Sequence, residues 1–307
     1  MSADASSILA AAALAAGGQS YPAPALYVVA TPIGNTADMT LRALHVLARV
    51  DAIACEDTRH SAPLLRHFGI TRPLIAAHEH NEREAADTVI ARLARGERVA
   101  YVSDAGTPAV SDPGAALVAA ARAAGFPVVP VPGASSVLAA LSVAGDAHAG
   151  GFAFAGFVPA RGGERDSAIA AAAADPRTQV LFEAPHRIVG LAGALAAACP
   201  DRVVTVCREL TKQFEATATL TAAVLPEWLR ADPNRTRGEF VLVLHASVPS
   251  IGEPADDEHD ALLSPLVREL PLKQAVALAA EISGAARNRL YARALVLRSA
   301  AAAAAPE

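Results

Sequence analysis

At 307 residues the chain exceeds one average domain and can bury more than one core. A formal charge of −5 argues against broad, sequence-blind nucleic-acid binding, and three cysteines without CxxC spacing argue against a disulfide framework or a zinc site. With aromatics at only 4% and Ala, Val and Leu abundant, an α/β class of helices packed on sheets is expected.

Residues 1–25 are Ala-rich and carry no leading Arg or Lys of a secretory signal, so they read as a mobile extension. No apolar run reaches the roughly 20 residues that span a bilayer, which leads to the expectation of a soluble, cytoplasmic protein. From Leu26 the pattern alternates strand and helix. Leu26–Thr31 reads as a strand running into Pro32-Ile33-Gly34-Asn35, and Asp38 or Thr40 can cap a helix through about Val50. Asp51–Cys55 reads as the next strand. Asn81 with Glu84 suggests a capping box, and Gly96 ends that helix. Arg98–Ser103 is a buried strand, Asp112-Pro113 a second helix start, and Val128–Val131 a further strand. Such alternation implies a largely parallel sheet.

A second set follows, with strands expected near 152–158, 179–184, 202–210 and 239–245 and helices near 163–174, 188–198 and 221–231. Its consecutive strand-like runs around 202–219 suggest antiparallel or mixed pairing. The chain thus divides into an extension at 1–25, α/β domains at 26–134 and 135–247, an acidic linker at 248–261, a basic helical unit at 262–300 and a tail at 301–307. The basic unit carries Arg268, Lys273, Arg287, Arg289, Arg293 and Arg298 against Glu269 and Glu281, so it can touch RNA or simply pack.

No GxGxxG opens the first helix, and GxxxxGK[ST], HExxH and EF-hand patterns are absent from the sequence. Instead, three loops of small residues follow strands: Thr31–Asn35, Ser103–Pro108 and Pro132–Ser136. Each alone is ordinary turn chemistry. Together, at the carboxyl ends of strands, they describe one ligand cleft.

The ordered runs ATPIGNTADMTLRAL, CEDTRHSAPLLRHFGI, HEHNERE, VSDAGTPAVSDPG, VPGASS, FAGFVP, FEAPHR, CRELTKQFE and RGEFVLVLH resemble the tetrapyrrole-methylase-like fold family. Within it they resemble the branch that methylates a ribose 2′-hydroxyl of small-subunit ribosomal RNA. The resemblance covers about residues 26–247, and LPLKQAVALAAEISGAARNRLYARAL resembles the branch's C-terminal piece. After CRELTKQFE, Ala216–Leu220 lacks a glycine that the pattern carries. The resemblance implies two α/β domains with S-adenosylmethionine in the cleft between them, a homodimer, and methylation of a cytidine in 16S rRNA of the small subunit. It places cofactor contacts at Pro32, Ala105, Gly106, Thr107, Val110, Ser135, Ser136, Ala184 and Gly238, with Asp104 added as a further candidate.

Methyl transfer from a sulfonium needs no metal; the demanding partner is a ribose hydroxyl that must lose its proton. Polar groups inside apolar runs supply candidates: Lys212 and Glu183 near the transfer, and Asp57, Arg59, Arg187 and Arg208 for RNA. Each acid beside an arginine can equally be a structural ion pair. Two other functions fit parts of the pattern: methylation of a tetrapyrrole-like small molecule, and a non-catalytic ribosome assembly factor.

Overall fold

The computed structural model describes residues 4–78, 81–111, 113–247 and 259–303, with side chains placed as far as Arg298. Two compact units result, Met1–Ser247 and Val248–Glu307.

Helix α1 (Ala5–Ala16) occupies the segment expected to be a mobile extension. Alanine is the strongest helix former and its small side chain allows close packing. Ala12 and Ala16 are buried, Ile8 and Leu9 pack against the core, and the Tyr21 hydroxyl donates to the Ala16 carbonyl at 2.9 Å. This stretch is therefore part of the body rather than an appendage.

The first sheet comprises β1 (Ala25–Val29), β2 (Ala52–Cys55), β3 (Leu74–Ala76), β4 (Arg98–Val102) and β5 (Val128–Val131), in the order β3-β2-β4-β1-β5. Every pair is parallel. Successive residues of a strand face opposite sides, so Tyr27 joins Leu44, Leu47 and Ile53 on one face while Leu26 joins Val89, Leu93 and Leu117 on the other. Burial on both sides explains the near-continuous apolar strands. Connections run through α2 (Leu41–Arg49), α3 (Thr58–His67), α4 (Glu82–Ala94) and α5 (Ala115–Ala123).

Thr40 caps α2, its hydroxyl accepting from the Ala43 amide at 3.1 Å. The capping box at Asn81 does not form. Instead, the Asn81 side chain accepts from the His78 amide at 2.8 Å and donates to the Ala76 carbonyl at 3.0 Å, closing the turn after β3. The expected start at Asp112 lies outside the described residues, and α5 opens after Gly114 at φ +117°, where a Cβ would overlap the Tyr101 ring.

Helix α6 (Ser136–Ala144) leads into the second sheet: β6 (Phe152–Phe157), β7 (Thr178–Glu183), β8 (Val203–Arg208), β9 (Ala216–Thr221) and β10 (Phe240–Leu244), in the order β6-β7-β10-β8-β9. Only β6 and β7 pair in parallel, and β8–β9 is an antiparallel hairpin. Helices α7 (Gly163–Ala174), α8 (Ile188–Ala198) and α9 (Leu225–Arg230) cover one face. On the other, Val137, Ala140 and Ala144 of α6 pack with Val180, Cys207, Val241 and Val243, and Ile33 from the first half joins them. That shared core is why both sheets fall into one compact unit. At its edge the buried Arg202 guanidinium donates to the carbonyls of His245, Ala172, Ala173 and Arg177, at 2.7–3.1 Å.

The terminal unit holds α10 (Asp260–Glu269), α11 (Leu272–Ser283) and α12 (Arg287–Ala303) around Leu263, Val276, Ala279 and Leu290. The last helix thus runs three residues past 300, the expected end of the basic unit. Of the acidic linker, residues 248–258 lie outside the described residues, as do 304–307 of the tail. Cys55 and Cys207 are buried, and burial pushes the Cys207 thiol up to about 11. Among the described residues no helix is long and apolar enough to cross a membrane.

Candidate active site

Because all strands of the first sheet run in parallel, their carboxyl ends share one edge, and the small-residue loops meet there. The loop after β1 is stitched to the loop after β4 by a pair of bonds: the Thr31 amide donates to the Gly106 carbonyl at 2.9 Å and the Gly106 amide to the Thr31 carbonyl at 3.1 Å. Gly106 adopts φ +82°, and its bare Cα lets the loop lie against Ile33. The Thr107 hydroxyl donates to Ala134 O at 3.1 Å, tying in the loop after β5. Two non-glycine residues of the middle loop, Ala109 at φ 64° and Ser111 at φ 68°, sit in the left-handed region. Such conformations persist only where surrounding bonds over-determine them.

These loops and the facing ends of β7, β8 and β10 enclose a cavity of about 420 Å³. Of the residues expected at a cofactor, all those in the Asp104–Val110 and Ser135–Ser136 stretches line it, as does Ala184. Pro32 and Gly238 do not. Pro32 is buried beside the Thr31–Gly106 bridge, and Gly238, at φ +90°, lies against the Glu209 side chain, where a Cβ would come within 2.5 Å of Cγ. Ile33 lines the cavity from the expected first loop, but sequence reasoning missed the rest of the apolar wall, formed by Phe157, Phe182, Leu210 and Phe240, and it missed Glu239. The aromatic signal was present: Phe157 ends β6 and Phe182 is the penultimate residue of β7, inside FAGFVP and FEAPHR, near the carboxyl ends of two parallel strands where ligands sit in open sheets.

Glu183 also lines the cavity, with its side chain fully buried. Its oxygens accept from Arg165 at 3.2 Å, from the Ala184 amide at 2.9 Å and from Arg187. Both arginines also reach backbone: Arg165 donates to the Pro159 carbonyl and Arg187 to the Val158 carbonyl, each at 2.9 Å. A carboxylate gripped on both oxygens is an anchor for the wall. Arg187 is thereby turned inward.

Lys212 stands outside the lining. Its ammonium donates to Glu209 at 3.0 Å and to the cavity residue Glu239 at 2.9 Å, while its stem packs on Gly34 of the opposite loop. Burial works against its charge, but the bonds to Glu239 and Glu209 outweigh burial and raise its pKa above the usual lysine value. Glu209 at φ 51° and Thr211 at φ 65° shape this turn, and Arg208 donates to the Phe214 carbonyl at 2.9 Å, fixing it.

Beyond Asp104 a second cleft of about 340 Å³ opens at the N-terminus of α3, lined by Glu56–Arg59, Ala76 and His78. It shares Glu56 and Asp104 with the first cavity. Asp57 caps α3 and chelates the exposed Arg59, with contacts of 2.6–3.1 Å; hydrogen bonds from Arg59 hold its carboxyl down at about 2. Asp104 accepts from the Asp57 amide at 3.1 Å and from His60 Nδ1 at 2.9 Å, and the hydrogen bond to Asp104, with its charge, raises the His60 pKa.

The family described as Tetrapyrrole (Corrin/Porphyrin) Methylases matches residues 25–226, and the RsmI C-terminal HTH domain matches residues 253–298. The ribosomal RNA small subunit methyltransferase I of Pseudomonas aeruginosa is 49% identical over 272 residues, covering 88% of this chain and 96% of its own. The protein of the same name from Haemophilus influenzae is 44% identical, covering 87% and 94%. Among solved structures, the methyltransferase CobJ superposes with a TM-score of 0.55 at 20% identity, covering 72% of this chain and 94% of that one. A uroporphyrin-III C-methyltransferase from Thermus thermophilus, complexed with S-adenyl homocysteine, gives 0.51 at 20%, covering 72% and 96%. These last two share the fold. With its sequence matched along nearly its whole length and its sheets matched in space, the chain belongs to the ribosomal RNA small subunit methyltransferase I family, within the tetrapyrrole (corrin/porphyrin) methylases.

Proposed function

We propose that this chain transfers the methyl group of S-adenosylmethionine to the 2′-hydroxyl of a cytidine in 16S rRNA, acting in the cytoplasm as a homodimer on the assembled small subunit. The observation that carries this reading is the 420 Å³ cavity at the meeting of three small-residue loops in a chain of this family. Its volume falls in the usual range for small-molecule sites, roughly 300–1,000 Å³. The lining suits the cofactor: an apolar wall of Phe182, Leu210 and Phe240 for a base, close backbone at Ala105–Thr107, and the capped start of α6 at Ser135 and Ser136 for polar ends.

When bound, the cofactor supplies a methyl group already activated on a sulfonium. The protein's share is alignment and handling of the hydroxyl proton. Lys212 keeps its own proton, so it acts as a fixed cation that holds Glu239 on the wall and braces Gly34. Glu183, gripped by Arg165 and Arg187, positions Ala184 rather than taking a proton. Asp57 and Arg59, at the mouth of the second cleft, meet the RNA. Arg187 and Arg208 act from behind by ordering the wall and the 209–215 turn.

The test supplies a labelled methyl donor with isolated small subunits or with a tetrapyrrole, then digests the RNA to nucleosides. Label in 2′-O-methylcytidine is expected; label in the tetrapyrrole alone overturns the reading, and failure to bind the donor in calorimetry makes the chain a non-catalytic factor. Lys212→Ala is expected to lower turnover with donor binding little changed.

A further inference from the structure

Two cavities with a common wall define where a group passes from one to the other. Glu56 and Asp104 form that wall, between the cavity of about 420 Å³ assigned to the donor and the cleft of about 340 Å³ at the start of α3. An acceptor nucleotide reaching the donor's methyl from the second cleft must place its reacting oxygen beside these carboxylates.

Of the two, Asp104 has the geometry of a prepared proton acceptor. One of its oxygens accepts from the Asp57 amide at 3.1 Å and the other from His60 Nδ1 at 2.9 Å. An ionised carboxylate only accepts, so His60 carries its proton on Nδ1 in this pair. A carboxylate offers about four lone-pair positions, and two protein bonds fix its plane while leaving capacity for a hydroxyl. The Asp57 amide opens α3, a ten-residue helix whose positive end favours the anion. Titratable neighbours on this side are Glu56, Asp57, Arg59 and His60, with His78 across the cleft.

We propose that Asp104 accepts the proton of the ribose 2′-hydroxyl as the methyl group is transferred, that His60 is its positioning residue, and that the acceptor nucleotide enters through the cleft between Glu56–Arg59 and His78. The O–H bond breaks with its proton going to the Asp104 carboxylate, and an oxygen lone pair forms the new bond to the methyl carbon. The carbon–sulfur bond breaks with its electron pair staying on sulfur as a neutral thioether. After product release the proton passes to solvent. This inference rests on the ribose-methylation reading above.

The test uses the full-length enzyme on small subunits at saturating donor, comparing wild type with Asp104→Asn, His60→Gln and Glu56→Gln. Asp104→Asn should lower kcat by about 10²–10⁴-fold, the usual share of a general base, with the donor Kd within about threefold of wild type. His60→Gln, whose amide can still donate to Asp104, should lower kcat less and leave KM unchanged. Independently of turnover, the raised pKa of the His60 imidazole, followed by NMR, should fall back toward 6.5 in Asp104→Asn. The proposal is overturned if Asp104→Asn keeps a tenth or more of kcat. A loss of donor affinity matching the loss of rate, or a larger kcat loss in Glu56→Gln, also overturns it. If wild type itself methylates no ribose, the functional reading fails first, while the NMR titration still reports whether Asp104 and His60 are paired.

Discussion

Gly34 shows how much of the site depends on single atoms. It sits at φ +156° in the loop after β1, and a Cβ there would lie 2.5 Å from Cγ and 2.8 Å from Cε of Lys212. The substitution Gly34→Ala therefore pushes the lysine stem away from the loop and loosens the Lys212–Glu239 contact on the cavity wall. Turnover should fall by about 10–100-fold, the scale of an ångström of misplacement near a reacting centre, and because a side chain at φ +156° is strained the melting temperature should fall as well. A variant with wild-type turnover would show that Lys212 is a bystander. Residues of this kind were half legible: the loops of Gly, Pro, Ser and Thr announced a cleft, but the pairing of Lys212 with Glu209 and Glu239 joins the start of one strand to a turn about thirty residues earlier. For Glu183, an ion pair with the neighbouring Arg187 was legible, but the second arginine was not, because Arg165 comes from a helix eighteen residues earlier in the chain.

At the scale of elements, most strands were readable because they are apolar runs ending in turn residues, the three-residue β3 being too short to show such a pattern, and the mixed second sheet was foreshadowed by consecutive strand-like runs without an intervening helix. Helix α1 was not readable. Its alanines carry no periodic contrast, so nothing in the pattern distinguishes a packed face from an exposed one. What orders it is tertiary: Ala12 and Ala16 against α2, with Ile8 and Leu9 over the same core. Deleting residues 1–17 removes those side chains and the Ala16 carbonyl that Tyr21 engages, and uncovers the face of α2 against which the helix packs. Burial of two alanines and parts of two larger side chains amounts to about 2–4 kcal/mol, so calorimetry should record a loss on the order of 5–10 °C in Tm. An unchanged Tm would mean the helix adds nothing to the body. Asn81 teaches the complementary lesson, since a capping-box spacing says where a side chain can bond but not whether a nearer turn claims it first.

For the molecule as a whole, a charge of −5 leaves RNA affinity to local groups, and titration of the same molecule sets its pH tolerance. His45 is buried beside Tyr21, with Arg49 close by, and His245 is part-buried with Nε2 2.8 Å from the Thr205 hydroxyl. Burial first, and then the charge of Arg49, lowers the His45 pKa; burial lowers that of His245 despite the opposing pull of Asp146. A histidine whose folded pKa lies below its unfolded value takes up protons mainly in the unfolded chain. These two therefore contribute fully above about 6.5, and that contribution is lost as pH falls below it. The Asp57, Glu97, Asp146, Asp175 and Asp260 carboxyls, all lowered, add the same sign further down, below about 4. His60 has the opposite sign: its raised pKa contributes at low pH and is lost as pH rises through that value. Because His60 is largely exposed and the other two are shielded, the buried pair should decide the slope. Urea unfolding of wild type should give lower stability at pH 5.5 than at pH 7.5. In His45→Gln combined with His245→Gln the difference should shrink, and an equal slope in both proteins would assign the acid sensitivity elsewhere.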